Sequence, residues 1–175
     1  MVDANRGWNT VDAIDFSRLV EPYDIRWFEE PCHWYDDAAM MSQVRSATHI
    51  PVTAGQSEIT SQAVRRLVDA RAVDFVNYDV SEGGGVTDWR RAAALCATAG
   101  VRMAHHEEAQ VAQHLLFSGP ARDLRRVFRR SRARSGVAGD VDGAPEVKDG
   151  WIEVPKAPGF GIELDEAMVR RFRVT

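Results

Sequence analysis

The sequence predicts an α/β fold, a partial (β/α) TIM-type barrel in which parallel strands alternate with helices. Short apolar runs alternate with helical patterns at a period of roughly 25 residues, which favours a parallel sheet. Five of these runs end in a polar residue, and barrel enzymes carry their active sites at the C-terminal ends of the strands. A complete eight-stranded barrel takes about 250 residues. The 175 residues present here therefore predict only part of one.

The five predicted strands share one design, an apolar run that ends in a polar side chain. The second strand, residues 25–29, is followed by Pro31, which cannot continue a β-ladder. The polar residues at the five strand ends are Asp3, Glu29, Gln56, Asp79 and His106. Because parallel strands end at the same edge of a sheet, we expect these side chains to face one site.

Helical patterns follow the strands and are predicted to begin near residues 10, 37, 57, 88, 107 and 165. Asn9 or Thr10 can cap the first helix, and Gly100 ends the fourth as a C-terminal cap. The apolar positions predicted on the first helix are Val11, Ile14, Leu19 and Val20. The buried face predicted for the third helix consists of Ile59, Ala63, Val64, Leu67 and Val68.

The domain organisation follows from a change of character after residue 120. Residues 1–120 read as the partial barrel, and 121–145 form an arginine-rich, irregular segment in which we predict no strand. Residues 146–175 resume ordinary globular sequence and are predicted to be a C-terminal segment of the same domain.

Composition and charge exclude several classes of partner. The net charge of −4 and a pI near 5.7 give no reason to expect nucleic acid or an anionic membrane. No apolar run approaches the roughly 20 residues of a membrane span, and the N-terminus lacks the pattern of a signal peptide. Cys32 and Cys96 show no spacing typical of zinc or redox sites. We therefore expect reduced thiols and a cytoplasmic location.

Six groups of residues follow one another along the chain at characteristic spacings. They are Asp3-Ala4-Asn5 with Gly7-Trp8, residues 27–31, residues 54–57, Tyr78-Asp79 with residues 83–87, residues 103–106, and residues 158–162. In this order and spacing the sequence resembles the enolase superfamily, and within it the C-terminal barrel domain of the mandelate racemase and muconate lactonizing enzyme branch, which includes many acid-sugar dehydratases. The resemblance covers nearly the whole chain except residues 121–145.

The resemblance implies a magnesium site. Family members abstract the proton next to a substrate carboxylate, and fixed positive charge must stabilise the anion that forms. By motif, Asp3 and Glu29 fall on the first two Mg²⁺ ligand positions. Gln56 falls on the third, where the family most often has Glu, so the site would carry one negative charge fewer. The alternative for each residue is a solvated or salt-bridged side chain at a strand end.

The resemblance also implies a catalytic dyad. His106 matches the base and Asp79 the aspartate that fixes its tautomer and raises its basicity. We expect Asn5, Glu30 and His105 to contact the ligands and the dyad without binding metal or substrate themselves. His105 should point away from His106 if the strand alternation persists. For Glu30, as for Glu107 and Glu108, the alternative is an ordinary polar loop residue. A surface loop histidine is the alternative for His106.

The function implied by the resemblance is Mg²⁺-dependent abstraction of an α-proton from a small carboxylate substrate, most plausibly in the dehydration of a sugar acid. Racemisation or epimerisation of the same branch is an alternative. The family's capping domain, two earlier barrel strands and a Lys-x-Lys pair are not in the sequence, so we interpret the chain as a fragment of such an enzyme, with a catalytically inactive remnant as the alternative. Family members are commonly oligomeric, which makes a homo-oligomer compatible with the resemblance.

The arginine-rich segment 121–145 has three interpretations. One permissible back-translation of residues 121–130, shifted by one base, encodes a peptide that resembles an eighth barrel strand with its glutamate, so a frameshift is one hypothesis. A phosphate- or nucleic-acid-binding segment is the second, and a solvated insert is the third. The second makes the chain a basic nucleic-acid-binding module, an option that the overall charge does not favour.

Overall fold

A computed structural model describes residues 1–119, 141–142, 148–149 and 151–173. Within these residues a five-stranded parallel sheet has the order β1-β2-β3-β4-β5. The strands are β1 (Val2–Asp3), β2 (Phe28–Glu29), β3 (Val52–Ala54), β4 (Phe75–Val76) and β5 (Arg102–Met103). Strand order follows chain order, as in a barrel wall. The predicted α/β architecture of parallel strands alternating with helices is confirmed.

The helices alternate with the strands as predicted. They are α1 (Thr10–Val20), α2 (Asp37–Ala47), α3 (Ser61–Asp69), α4 (Gly85–Ala99), α5 (Ala109–Ser118) and α6 (Glu166–Phe172), with short 3₁₀ turns at Glu21–Tyr23 and Trp34–Asp36. Asn9 caps α1, because its side chain accepts a hydrogen bond from the Asp12 amide. Gly100 ends α4 in the left-handed conformation with φ of 71°. Both caps agree with the sequence prediction.

Helix burial corrects two sequence predictions. On α1 the buried residues are the small Ala13 and Ser17, whereas Val11 and Leu19 point to solvent. On the third helix Val64 and Leu67 are buried as predicted, but Ile59 lies before the first turn and is exposed. Small side chains let a helix backbone approach the sheet closely, so apolar size alone did not identify the packed face.

The core fills the space between the sheet and the helices. Its fully buried members include Phe28, Met41, Leu67 and Trp89. A second small cluster on the sheet consists of Trp27, Phe75 and Ala104. Because these side chains hold β1 to β5 side by side, the five strand ends lie along one edge of the sheet.

The C-terminal part contains a second, separate sheet. Strand β6 (Val141–Asp142) pairs antiparallel with β7 (Glu163–Leu164). The prediction of no strand within 121–145 is therefore wrong at residues 141–142. The frameshift and anion-binding interpretations of residues 121–140 lie outside the described residues. His114 of α5 contacts Phe160 through its ring and through a hydrogen bond of 3.0 Å to the Phe160 carbonyl.

Membrane insertion finds no support among the helices that the structure describes. None of them combines the length and the apolar character that a bilayer span requires.

Candidate active site

The predicted metal ligands sit at the ends of three neighbouring strands. Asp3 and Glu29 are direct partners in the β1–β2 register, and Glu29 is the partner of Thr53 in β3. Gln56 follows the end of β3 after the turn at Gly55. The sheet therefore orders the three residues as the sequence predicted, one on each adjacent strand end.

Glu29 and Gln56 converge on a single buried amide. Glu29 is fully buried, and its Oε1 accepts a hydrogen bond of 2.8 Å from Asn77 Nδ2. The same Nδ2 donates to Gln56 Oε1 at 3.5 Å. The Glu29 Oε2 atom accepts from Trp27 Nε1 at 2.9 Å. The donors from Asn77 and Trp27 are neutral, so they orient the Glu29 carboxylate without cancelling its charge.

Asn77 was missed by the sequence reasoning. It lies in the fourth predicted strand, two residues before Asp79, and the period-2 alternation of a strand places such a pair on the same face. That alternation was the available signal. The structure shows Asn77 to be fully buried and positioned between two predicted ligands.

Asp3 is more accessible than Glu29. It lies on an exposed strand end, and its Oδ1 accepts a hydrogen bond of 2.8 Å from the Asn5 amide. The Asn5 backbone has φ of 46°, a left-handed conformation that Asn tolerates better than most residues. Asn5 therefore contacts the predicted ligand through its backbone, while its side chain is exposed.

The donor set fits magnesium. Mg²⁺ prefers hard oxygen ligands, and carboxylate and amide oxygens from Asp3, Glu29 and Gln56 provide them on three adjacent strand ends. The convergence of the Glu29 and Gln56 oxygens on one N–H₂ group shows that these two side chains point to a common region.

The two residues of the predicted dyad are hydrogen-bonded to each other. His106 Nδ1 lies 2.9 Å from Asp79 Oδ2, and both side chains are almost fully buried. Asp79 also accepts hydrogen bonds from the Ser81 amide and hydroxyl and from the Glu107 amide. Burial opposes ionisation of Asp79, but the hydrogen bonds from His106 and Ser81 outweigh it and hold the pKa of the carboxyl well below its ordinary value.

An ionised Asp79 fixes the tautomer of His106. A carboxylate can only accept, so the Nδ1 atom of His106 carries the proton of the 2.9 Å bond. The Nε2 atom is then left as the basic nitrogen. Nε2 lies 3.8 Å from Glu107 Oε1 on the partly exposed loop that follows β5. The arrangement can accept a proton at Nε2.

His105 lies apart from the dyad contacts. It is fully buried, and the Val80 amide donates to its Nε2 at 3.3 Å. The side chain therefore braces the loop after β4, while His106 contacts the Asp79 carboxylate.

Glu82 approaches the dyad from the same loop. Ligand atoms of Asp79, Glu82 and His106 lie within 4.8 Å of one another, close enough to hold a cation. Both Asp79 oxygens, however, already accept hydrogen bonds from His106, Ser81 and Glu107. A cation held by these three side chains would therefore compete with the hydrogen bonds that Asp79 already accepts.

Glu30 is not an ordinary polar loop residue. Its side chain is buried and forms an ion pair of 2.8 Å with Arg6. Burial raises the pKa of Glu30 above its ordinary value, and Arg6 offsets this only in part. The ion pair belongs to a larger set that we call the Arg6 cluster, made of Arg6, Glu30, Asp37, Glu58 and Arg66. The sequence reasoning did not anticipate this cluster.

The glycine loop after β4 is anchored by Tyr78. The Tyr78 hydroxyl accepts a hydrogen bond of 2.8 Å from the Gly84 amide and donates to the Ile59 carbonyl at 3.2 Å. A Cβ at Gly83 would lie 2.2 Å from the same hydroxyl. Glycine is therefore required at position 83 because the loop passes directly against Tyr78, the residue before Asp79.

Comparison with known proteins places these features in a family. A sequence profile described as enolase C-terminal domain-like matches residues 1–168. A mandelate racemase/muconate lactonizing enzyme from a marine actinobacterium, solved in complex with magnesium, is 36% identical and superposes with a TM-score of 0.89 over 99% of this chain and 49% of that one.

Two further relatives carry sugar-acid names. An L-talarate dehydratase from Polaromonas sp. JS666, complexed with Mg and L-glucarate, is 27% identical with a TM-score of 0.86, covering 95% of this chain and 43% of that one. A 3,6-anhydro-alpha-L-galactonate cycloisomerase from Streptomyces coelicolor is 29% identical over 99% of this chain and 46% of its own length.

The coverage is uneven between the chain and its relatives. The chain spans less than half the length of these relatives, although almost all of it aligns with them. The profile match over residues 1–168, together with five parallel strands that end in the family's motif residues, shows that the chain belongs to the enolase C-terminal domain-like family.

Proposed function

We propose that this chain carries the Mg²⁺-binding and proton-abstracting part of an enzyme that acts on a small carboxylate, most plausibly a sugar acid undergoing dehydration. The observation that carries the proposal is the buried Asp79–His106 pair of 2.9 Å at the same sheet edge as Asp3, Glu29 and Gln56. A base beside a cluster of oxygen ligands is the combination that α-proton abstraction needs.

The metal side of the site would be held by Asp3, Glu29 and Gln56. When bound there, Mg²⁺ supplies fixed positive charge to the substrate carboxylate. Asn77 orients the oxygens of Glu29 and Gln56 through its amide. Because Gln56 is neutral, the ligand set has two carboxylates, which weakens the attraction for the cation relative to a three-carboxylate set.

The dyad side would move the proton. Asp79 holds the Nδ1 proton of His106, so Nε2 is the basic nitrogen that would accept the α-proton of the substrate. After proton transfer the ionised Asp79 stabilises the positively charged imidazole. The buried position of both groups excludes water from the bond between them.

Dehydration is the substrate chemistry that we propose, with cycloisomerisation as the second candidate because the Streptomyces coelicolor cycloisomerase is of similar identity to this chain. The L-talarate dehydratase, a structural relative over 95% of this chain, was solved with Mg and L-glucarate. Racemisation needs bases on both faces of the substrate. Racemisation stays an alternative, because the described residues place one histidine base, His106, at the strand ends and the family's Lys-x-Lys pair, which can supply a second base, is not in the sequence.

Cellular setting and assembly stay predictions. The free, buried thiols of Cys32 and Cys96 support the expectation of a reducing, cytoplasmic compartment. A homo-oligomer is expected because members of the family are commonly oligomeric.

The test is α-proton exchange in deuterated buffer. The full 175-residue chain is incubated with Mg²⁺ and a panel of sugar acids that includes L-glucarate and galactarate, and deuterium incorporation and keto-acid formation are followed by NMR. We expect both in the unmodified chain and neither in His106→Asn. His49→Asn, which changes an exposed histidine, is the matched control. A chain that binds Mg²⁺ yet exchanges no proton in any substrate would favour the alternative of an inactive remnant.

A further inference from the structure

The Arg6 cluster follows the three expected metal ligands along the chain. Arg6 lies three residues after Asp3, Glu30 is next to Glu29, and Glu58 lies two residues after Gln56. Each of the three strand ends that carries a predicted ligand therefore also carries one member of the cluster. The remaining members, Asp37 and Arg66, lie on α2 and α3.

Arg6 is the centre of this cluster. Its Nη2 lies 2.8 Å from Glu30 Oε1 and 3.9 Å from Glu58 Oε1, and its Nη1 donates to Asp37 Oδ2 at 2.5 Å. The guanidinium also stacks on the Trp34 ring at 3.6 Å from its centroid. The Arg6 side chain is 2% exposed, so water screens these attractions weakly.

Arg66 completes the network from the other side. It forms hydrogen bonds with both oxygens of Asp37 and lies 3.2 Å from Glu58 Oε1. Asp37 is thus shared by two guanidinium groups at the first turn of α2. Through this shared carboxylate the ends of β1, β2 and β3 are tied to the two helices outside them.

The backbone of the same strand ends is held in conformations that side chains rarely adopt. Asn5, Arg6 and Glu30 have φ values of 46°, 57° and 42°. The Arg6 amide donates to the Glu30 carbonyl at 2.7 Å, and the Glu30 amide donates to the Thr53 carbonyl at 2.8 Å. Such conformations persist only where the surroundings hold them, and these backbone hydrogen bonds and the Arg6–Glu30 ion pair are contacts that act on these residues.

We propose that Arg6 is a positioning residue that sets the relative placement of Asp3, Glu29 and Gln56, and thereby the affinity of the site for Mg²⁺. The inference rests on the proposed function, since it takes these three residues as the ligands. Arg6 acts through its neighbours along the chain and through Glu30 and Glu58. The partners of metal ligands commonly change metal affinity by about 10–100-fold when they are altered.

A charge-conserving substitution separates placement from charge. Arg6→Lys keeps the positive charge near the site but has a single ammonium in place of the planar fork, so it cannot hold Asp37 and Glu30 in the same geometry. Arg66→Lys disturbs only the contacts to Asp37 and Glu58, on a side chain that is half exposed. We expect a larger effect from Arg6→Lys than from Arg66→Lys.

Arg45→Lys is the matched control. Arg45 lies in the last turn of α2, the helix that carries Asp37 in its first turn. Arg45 pairs with Asp74 at 2.8 Å. The Oδ2 atom of Asp74 accepts a hydrogen bond from the amide of Val52, the first residue of β3, at the end of the strand away from the predicted ligands. This variant makes the same Arg-to-Lys change in a more exposed Arg–carboxylate pair at the opposite end of the strands, so it should leave Mg²⁺ affinity unchanged.

The experiment is titration of Mg²⁺ alone into the full chain by calorimetry, with circular dichroism and a melting curve on each variant to establish that it is folded at the titration temperature. We expect the Mg²⁺ Kd to rise about 10–100-fold in Arg6→Lys, several-fold in Arg66→Lys, and to stay within twofold in Arg45→Lys. If Arg6→Lys does not fold, the Mg²⁺ Kd of Arg66→Lys is compared with that of Arg45→Lys, and a higher Kd in Arg66→Lys supports the positioning role of the cluster.

The outcomes distinguish this inference from the proposed function. Binding that is present in the unmodified chain, lost in Asp3→Asn with Glu29→Gln, and unchanged in a folded Arg6→Lys overturns the positioning role and leaves the metal site standing. Where Arg6→Lys is unfolded, an Arg66→Lys Kd equal to that of Arg45→Lys does the same. No saturable binding in the unmodified chain overturns the proposed metal site and this inference with it.

Discussion

The metal side of the site, Asp3, Glu29 and Gln56, and the dyad side, Asp79 and His106, are held in place by different means. On the metal side, long-range ion pairs join three strand ends to two helices, and the strand ends carry left-handed backbone. On the dyad side, the single carboxylate of Asp79 accepts hydrogen bonds from His106, from Ser81 two residues further along, and from the Glu107 amide. The proposed metal ligands are thus positioned by several ion pairs, and the proposed base is positioned by one carboxylate.

This difference predicts how each side of the site responds to substitution. On the metal side, several ion pairs position each proposed ligand, so the loss of one pair should have a moderate effect on Mg²⁺ affinity. The dyad should lose its function on a single substitution, because the Asp79 carboxylate orients the His106 ring through Nδ1. The effects of substitutions on the two sides should therefore differ in size and in the property that changes. Five predictions test this difference, from the largest expected effect to the smallest.

The dyad side should give the largest loss. Asp79→Asn replaces an acceptor-only carboxylate by an amide that can stabilise the wrong tautomer of His106. We expect the rate of α-proton exchange to fall by about 10²–10⁴ at saturating Mg²⁺, with the Mg²⁺ Kd unchanged. Asp69→Asn, which removes an exposed ion pair with Arg65, is the control and should keep full activity. An Asp79→Asn chain as active as this control would remove Asp79 from the mechanism.

The same substitution should change the acid stability of the fold. The folded-state pKa of Asp79 is lowered, so its ionisation stabilises the fold above the ordinary carboxyl pKa, and that contribution is lost as pH falls through the lower folded value. Urea unfolding measured from about pH 5 downward should show a steeper loss of stability in the unmodified chain than in Asp79→Asn. Equal slopes would mean that hydrogen bonding to Asp79 contributes little to stability.

The buried amide between the ligands should give the next largest effect. Asn77→Leu keeps the shape but removes the donor that Glu29 and Gln56 share, at a cost of about 1–3 kcal/mol in the free energy of unfolding. Thr53→Val is the control, because the buried Thr53 hydroxyl has no hydrogen-bond partner within the described residues. Urea unfolding of both variants makes the measurement. A loss in Thr53→Val as large as that in Asn77→Leu would count against the role of the amide.

A negative charge added at residue 56 should have a smaller effect. It should strengthen Mg²⁺ binding but lower the stability of the Mg²⁺-free chain. Gln56→Glu adds a carboxylate close to the buried Glu29, to which Asn77 links it. We expect Mg²⁺ to bind about tenfold more tightly, equivalent to about 1.4 kcal/mol, and the melting temperature without Mg²⁺ to fall through like-charge repulsion. Gln43→Glu on the exposed surface of α2 is the control. Unchanged affinity would indicate that residue 56 does not contact the cation.

The strand ends and the dyad were predictable from the sequence because their signals are local. A polar residue after an apolar run marks a strand end, and Asp79 and His106 occupy such positions on neighbouring strands. The superfamily motifs added the roles of these residues. No structural element had to be known beyond the order of the strands.

The supporting contacts were not predictable because they join distant parts of the chain. Arg6 and Asp37 are 31 positions apart, and Asn77 and Glu29 are 48 positions apart. Nothing in the local pattern around Glu30 distinguishes a buried ion pair from a solvated loop carboxylate. The exposed position of Ile59 was missed for a related reason, since the start of α3 at Ser61 depends on the Thr60 cap rather than on apolar spacing.

The two cysteines offer the smallest effect and a direct comparison of the two sides. Cys32 lies three residues after Glu29, and Cys96 lies on α4 after the glycine loop of the dyad side. Burial raises the pKa of Cys32 to about 11, with Asp37 adding to it, and burial raises the pKa of Cys96 to about 12. At pH 8 both thiols should therefore react with a disulfide reagent only when the fold opens locally.

Magnesium should slow this labelling at Cys32 and leave Cys96 unchanged, because a cation bound by three strand ends opposes opening of the metal side only. The measurement is the labelling rate of each thiol with and without saturating Mg²⁺, resolved by mass spectrometry, with the Asp3→Asn and Glu29→Gln double variant as the control. Equal slowing at both cysteines would show that the two sides open as one unit. The contrast between the two sides of the site would then hold for function but not for stability.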